Sequence, residues 1–217
     1  PYTTLFRSTL KVEVSEIGQA LVPTNWSQAT TMTVSYGYGV SVTPLQALTT
    51  IAGVINNGYR PQPTLIFQDK SFENPNSSPP IVSEKTSKLI RRFMRINSKE
   101  GPGRRTEQGK FKVFAKTGTA YQAKHGNYGA VKSRTNSCVG GFPYDNPRYV
   151  FLVVLDDPQP TSSTYGFAAA GWNAAPTAGK MVVRMAPILG VQPADSDEED
   201  VTTPGWTSVK YTKGGND

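Results

Sequence analysis

The sequence predicts a mixed α/β (α+β) domain. Three strand-like runs follow one another: FKVFAKTGTAYQ at 111–122, RTNSCVGGFP at 134–143 and RYVFLVVLD at 148–156. Helix-period apolar patterns stand before and after these runs. A chain of 217 residues is long enough for one good core, or for a piece of a larger domain. A hydrophobic content of 37% with 17 Pro and 20 Gly fits a loop-rich globular composition.

In chain order, PYTTLFRS at 1–8 leads into nothing that follows. Its YTTLFRS string resembles the translation of a common sequencing-adapter oligonucleotide, so residues 1–8 are set apart as an artefact of sequencing or cloning. The domain itself is assigned to 9–193. Residues 10–35 read as mixed structure, with a turn at Pro23 and an aromatic at Trp26. Next come a glycine loop at Gly37 and Gly39 and a helix, with Thr43 as its N-cap and Pro44 as its first residue. The apolar face of that helix is Leu45, Leu48, Ile51, Ala52 and Ile55, and Asn57-Gly58 ends it. DKSFENPNSSPP at 69–80 is a polar linker.

A second helix is expected from Glu84 to Arg95 with Ser83 as its cap. Its Lys88, Arg91, Arg92 and Arg95 read as a solvated face over Leu89, Ile90, Phe93 and Met94. EGPG at 100–103 then turns the chain into the strands, of which RYVFLVVLD is apolar enough to be central. A closing helix is expected over Gly166 to Leu189, with Ala178, Met181, Val182, Met185 and Leu189 facing inward. The acidic segment 194–217 is expected to carry little order.

Several chemistries are excluded by counting. No apolar run reaches the roughly 20 residues that cross a bilayer, and no signal peptide opens the chain. The single Cys138 rules out an internal disulfide and a Cys-rich zinc site, and its apolar setting reads as a buried structural thiol. The only histidine, His125, lies in KHGNYG, a loop tip, which leaves a histidine-based triad or a multi-histidine metal site without support. Between Glu84 and Lys116 there are eleven Lys or Arg against three Glu, but no aromatic residues are interleaved for base stacking. No nucleic acid partner is expected. The Gly37 and Gly39 pair lacks both the third glycine of a dinucleotide fingerprint and the Lys-Ser/Thr of a P-loop.

That leaves Lys116-Thr117-Gly118-Thr119. Alternation puts Thr117 and Thr119 on one face of a strand and Lys116 and Gly118 on the other. Two hydroxyls and a neighbouring ammonium can converge on a carboxylate, and Gly118 removes a side chain where a ligand would lie against the backbone. An extended peptide could add to such an edge through main-chain hydrogen bonds. Chance supplies only about 0.01 KTGT per chain of this composition, against the bland reading of a strand end with a snorkelling lysine.

K-T-G is the third signature of penicillin-binding proteins and serine β-lactamases, after S-x-x-K and S-D-N. Together with GYGVSVTPLQ at 37–46, KTGTA at 116–120, RYVFLVVLDDP and YGFAAAGWNAAP, the chain over about residues 10–193 resembles the C-terminal part of a class B, monofunctional penicillin-binding protein of the cell-division type. The resemblance implies an antiparallel β-sheet flanked by helices on both faces, the penicillin-binding-protein/β-lactamase-like transpeptidase fold, truncated at its N-terminus. It also implies a serine D,D-transpeptidase that cross-links peptidoglycan and uses no cofactor or metal. Lys116 would border the catalytic serine, Thr117 and Thr119 would bind the terminal carboxylate beside Gly118, and the Thr119 amide would stabilise the oxyanion. Partners would be peptidoglycan stem peptides, lipid-linked precursor, β-lactam antibiotics and divisome proteins. The parent would face the periplasm from the inner membrane through an anchor absent from this chain.

Two departures accompany the resemblance. No S-x-N occurs, and the one S-x-x-K, Ser8-Thr9-Leu10-Lys11, leads into the strand-like KVEV and lies too near the glycine loop to leave room for a second motif. The nucleophile is therefore expected upstream, and the fragment alone is expected to be inactive. The other departure is EGPG, where the family carries Gly-Thr-Gly, so that Pro102 stiffens the approach to the KTGT strand. The alternatives are a β-lactamase or D,D-carboxypeptidase of the same fold and a β-lactam sensor or non-catalytic binding module. The GYGVSVTPLQ segment and the Trp172 region favour the transpeptidase.

Overall fold

A computed structural model describes residues 10, 12–67, 79–122 and 133–194. Helix α1, Gln28–Ser35, carries a capping box between Ser27 and Thr30. It falls where the sequence reads as mixed structure. It buries none of its residues, so it has no apolar stripe from which a helix could be read. The chain then turns through Gly37 (φ +98°) and Gly39 (φ +82°), conformations that favour glycine. Helix α2, Pro44–Ile55, begins as expected: Thr43 caps it through Gln46 N–H, and Gln46 returns a bond to Thr43 N–H. Asn57 and Gly58 end it in the left-handed region. Its inner face is more polar than predicted, with Gln46, Thr49 and Thr50 buried beside Ala52 and Ile55.

Helix α3, Glu84–Lys99, is capped by Ser83 as expected and runs four residues past Arg95. Its basic side is not uniformly solvated, which corrects the sequence reading. Arg95 is 2% exposed, whereas Leu89 and Phe93 are 47% and 55% exposed. The inward stripe is Ser87, Ile90, Met94 and Ser98, rotated from the predicted one. Arg95 is carried inside by a bidentate pairing with Glu107, whose second contact is 2.9 Å, and by donation to Val113 O at 2.7 Å. A buried guanidinium needs such partners.

Pro102 sits in the turn before the KTGT strand in a form the strand accommodates. Arg104 N donates to Gly101 O at 3.0 Å and Gly103 sits at φ −78°, ψ −4°, so Pro102 occupies the second position of a turn, where its fixed φ is favoured. Asn97 packs into this turn, because a Cβ on Gly101 or Gly103 would come within 2.5 Å of its amide.

Strands β1 (Phe114–Tyr121), β2 (Arg134–Phe142) and β3 (Tyr149–Asp156) form an antiparallel sheet in the order β1-β2-β3. Among the described residues β2, not RYVFLVVLD, is central; β3 is an edge whose Leu152, Val153 and Leu155 are only half-buried. Alternation in β1 feeds two cores. Val113 and Ala115 pack with Cys138, Phe142 and Phe151 on one face, and Phe114 packs with Ile55 and Met94 on the other.

The closing helix α4 is Ala174–Ile188, eight residues shorter at its start than the sequence predicts. Tyr165 and Gly166 both have positive φ, and Ala170–Trp172 is a single 3-10 turn. Gly171 lies so close to the Pro102 turn that a Cβ would meet Pro102 O at 2.8 Å. Trp172 stacks on Phe167 at 4.9 Å and lies 3.6 Å beneath the Arg105 guanidinium. The helix starts only when the Asn173 side chain accepts Ala174 N–H at 2.7 Å. Ala174, Ala175, Ala178, Val182 and Ala186 seal the first core, while Met185, expected inside, is exposed. Helices therefore cover both faces, α4 on one and α2 with α3 on the other. The expectations for 1–8, most of the 69–80 linker, His125 and the acidic tail from 195 lie outside the described residues.

Candidate functional site

Among the described residues strand β1 pairs only with β2, and the phase of that pairing decides what its other edge offers. Gln122 N donates to Ser133 O at 2.9 Å, so even-numbered residues of β1 direct their backbone groups into the sheet. Odd-numbered residues turn theirs outward. Arg95 holds Val113 O, and Asn97 Nδ2 donates to Ala115 O at 2.8 Å. At the other end Tyr121 N donates to the Tyr38 hydroxyl at 3.1 Å. Between these staples the Lys116 ammonium reaches Thr117 O at 2.7 Å. Among the described residues the Thr117 N–H and the Thr119 N–H and C=O have no partner. Among the described residues the strand is thus closed at both ends and open over Thr117–Thr119.

The side chains follow the predicted alternation. Thr117 and Thr119 lie on the α4 face, Lys116 and Gly118 on the α2/α3 face. Thr117 is 8% exposed and its hydroxyl has no hydrogen-bond partner among the described residues. Lys116 is exposed. Thr119 Oγ1 accepts Ala170 N–H at 3.0 Å. With one lone pair so engaged, its hydroxyl proton remains to be donated to an incoming anion. A Cβ on Gly118 would meet Ser137 Oγ at 2.7 Å and, its chain neighbours apart, no other atom of the described residues within 4 Å.

Three contributors escape the sequence reading. Asn136, opposite Thr119 on β2, is fully buried and donates to Ala168 O at 2.6 Å and to Asn173 Oδ1 at 2.8 Å. Through this pair β2 holds the turn whose Ala170 N–H orients Thr119. Asn97 and Tyr38 bound the open window from either side. Tyr38 lies within the quoted GYGVSVTPLQ, and Asn136 leaves a trace as an amide in RTNSCVGGF; nothing in the sequence marks Asn97.

Cys138 lies opposite Thr117, fully buried in the first core. Burial pushes its thiol up to about 12, opposed by the nearby Lys116 cation. It is a packing group rather than a nucleophile at neutral pH. Among the described residues no cluster of three or more His, Cys, Asp or Glu could hold a metal ion, and no helix is long and apolar enough to cross a membrane.

Residues 8–178 match the penicillin binding protein transpeptidase domain family. The chain is 33% identical over 191 residues to a probable peptidoglycan D,D-transpeptidase FtsI of Caulobacter vibrioides, covering 84% of this chain and 32% of that protein. It is also 33% identical over 180 residues to stage V sporulation protein D of Bacillus subtilis, covering 79% and 26%. The chain therefore spans about a third or less of the length of these relatives. Among solved structures, the transpeptidase domain of Burkholderia pseudomallei penicillin-binding protein 3 superposes with a TM-score of 0.72 at 26% identity, covering 88% of this chain and 57% of that one. Penicillin-binding protein 3 of Mycobacterium tuberculosis, complexed with ampicillin, gives 0.70 at 23% identity, covering 92% and 47%, a likeness of fold. An antiparallel sheet between helices, a KTGT strand with an open edge, and a family match across most of the chain lead to one conclusion: this chain belongs to the penicillin-binding protein transpeptidase domain family.

Proposed function

We propose that the chain is the carboxylate- and oxyanion-binding side of a serine D,D-transpeptidase that cross-links peptidoglycan. The observation that carries this reading is the window at Thr117–Thr119, where main-chain groups without a partner among the described residues are flanked by two threonine hydroxyls on one face and the Lys116 ammonium, held at Thr117 O, on the other. A stem peptide adds there as an antiparallel strand. The hydroxyls of Thr117 and Thr119 donate to its terminal carboxylate, and Lys116 supplies positive charge beside them. The penultimate residue then lies opposite Thr119: its N–H donates to Thr119 O, and its carbonyl oxygen accepts Thr119 N–H. When the serine attacks that carbonyl, charge grows on an oxygen already facing a fixed donor, an interaction whose loss costs about 3–4 kcal/mol in other acyl-transfer enzymes. The serine, its lysine and the second-motif residues are contributed by the segment upstream, against the exposed Lys116 face. The terminal D-Ala leaves, and the acyl group passes to an amine of a neighbouring peptide.

A β-lactam is read by the same groups, its carboxylate at the hydroxyls and its ring carbonyl at Thr119 N–H. The parent works at the periplasmic face of the inner membrane, on stem peptides drawn from lipid-linked precursor, alongside divisome proteins. The test is Thr117→Val in the parent protein expressed with its upstream segment. Among the described residues the hydroxyl makes no hydrogen bond, and valine keeps its volume, so the melting temperature should hold. Acylation by a fluorescent penicillin should slow about ten- to a hundredfold, the worth of a charge-assisted hydrogen bond. An unchanged rate would overturn the reading.

A further inference from the structure

We propose that Tyr38 sets how far a ligand strand can pair along β1, which makes it a specificity-determining residue of the site; the proposal rests on the function proposed above. Antiparallel pairing offers a rung at every second residue, about 7 Å apart along the strand. Beyond Thr119 the next outward donor is Tyr121 N–H, and the Tyr38 hydroxyl already takes it at 3.1 Å. The hydroxyl is not held there by chance contact. Gly37 N and Tyr38 N donate to Val34 O and Thr33 O, both at 3.0 Å, tying the loop to the end of α1. Leu21 and Ser41 pair just beyond it, and the Tyr36 ring packs 5.8 Å from that of Tyr38.

With the ligand carboxylate at Thr117 and its penultimate residue opposite Thr119, the residue before that lies opposite Ala120 and the one before that opposite Tyr121. Tyr38 occupies the rung that this fourth residue from the C-terminus would use. Main-chain pairing therefore covers the three C-terminal residues, and the peptide must leave the sheet edge there. A residue that merely satisfies an edge N–H would also protect the strand from aggregation, but it would produce no dependence on ligand length.

The test uses the full 217-residue chain, 15N-labelled, titrated with N-acetyl-D-Ala-D-Ala and with N-acetyl-Gly-Gly-D-Ala-D-Ala. In the unsubstituted chain the affinities of the two peptides should differ by less than about twofold, with the Thr119 amide shifting and the Tyr121 amide still. In Tyr38→Phe, which keeps the ring and frees the N–H, the longer peptide should bind about three- to tenfold more tightly than the shorter one, one hydrogen bond's worth, and should shift the Tyr121 amide. A length advantage of that size in the unsubstituted chain overturns the proposal, whether or not the variant folds. So does a ratio in folded Tyr38→Phe that stays near one. If neither peptide moves the Thr119 amide, the binding site itself is misassigned and the role of Tyr38 falls with it. A shift at Thr119 with the wrong length pattern removes Tyr38 alone.

Discussion

Gly118 distinguishes a structural from a functional account of one residue. A Cβ there would meet a single atom, Ser137 Oγ at 2.7 Å, and that hydroxyl can rotate away. Compare Gly140, where a Cβ would lie 2.3 Å from Phe114 O, a backbone atom that cannot yield. The fold requires a glycine at 140; at 118 it does not. Gly118→Val in the parent protein should therefore change stability by at most about 1 kcal/mol, the span of strand propensities. The added methyls project on the Lys116 face beside the open edge, so acylation by penicillin should fall about tenfold or more, equivalent to at least about 1.4 kcal/mol in the barrier. Thermal unfolding and acylation rate, measured on the same preparation, check both halves. Full acylation in a folded variant would show that no ligand approaches this strand closely.

Among the elements, helix α3 couples the core to the site. Arg95 pairs with Glu107 and binds Val113 O, one residue before β1, while Asn97 binds Ala115 O within it. Arg95→Met keeps the length of the side chain but leaves Val113 O and the Glu107 carboxylate without their donor. Glu107 is 29% exposed and can recruit water, so the expected loss is about 3 kcal/mol, the low end for a broken buried pair. Urea unfolding of the 217-residue chain measures it, and a loss under about 1 kcal/mol would place Arg95 in solvent after all. This helix also marks where the sequence stopped being legible. The caps at Ser83 and Thr43 and the three strands were readable because their signals are local: a hydroxyl before a helical pattern, or apolar residues at strand spacing. The burial of Arg95 depends on Glu107, twelve residues away across a turn, and nothing in the period of the helix reveals it. KTGT was legible for the same local reason. Asn136, Asn97 and Tyr38 join it only because the register of β1 and β2 and two loops bring them there. The late start of α4 coincides with the Asn173 cap, a local signal, while the close approach of Gly171 to Pro102 before it is carried by no local pattern.

At the scale of the whole molecule, the proposed function makes the described chain one wall of a site, with Lys116 exposed on the face left for the other. Acyl transfer needs a nucleophile and a proton acceptor within hydrogen-bond reach of one another. The sequence supplies one S-x-x-K, at Ser8, and no S-x-N. Ser137, which opposes Gly118 within the sheet, lacks a lysine three residues on. Cys138, its neighbour, stays protonated at neutral pH because burial raises its thiol to about 12. The expected outcome is that a fluorescent penicillin does not label the 217-residue chain covalently, although the parent protein with its upstream segment is labelled stoichiometrically. Gel fluorescence after denaturation separates covalent from reversible capture, and peptide mapping locates any adduct. Stoichiometric labelling mapped to Ser8 would restore the rejected motif as the nucleophile. Labelling at Ser137 would mean that the window carries its own serine, and the proposed division of the active site between this chain and an upstream segment would have to be abandoned.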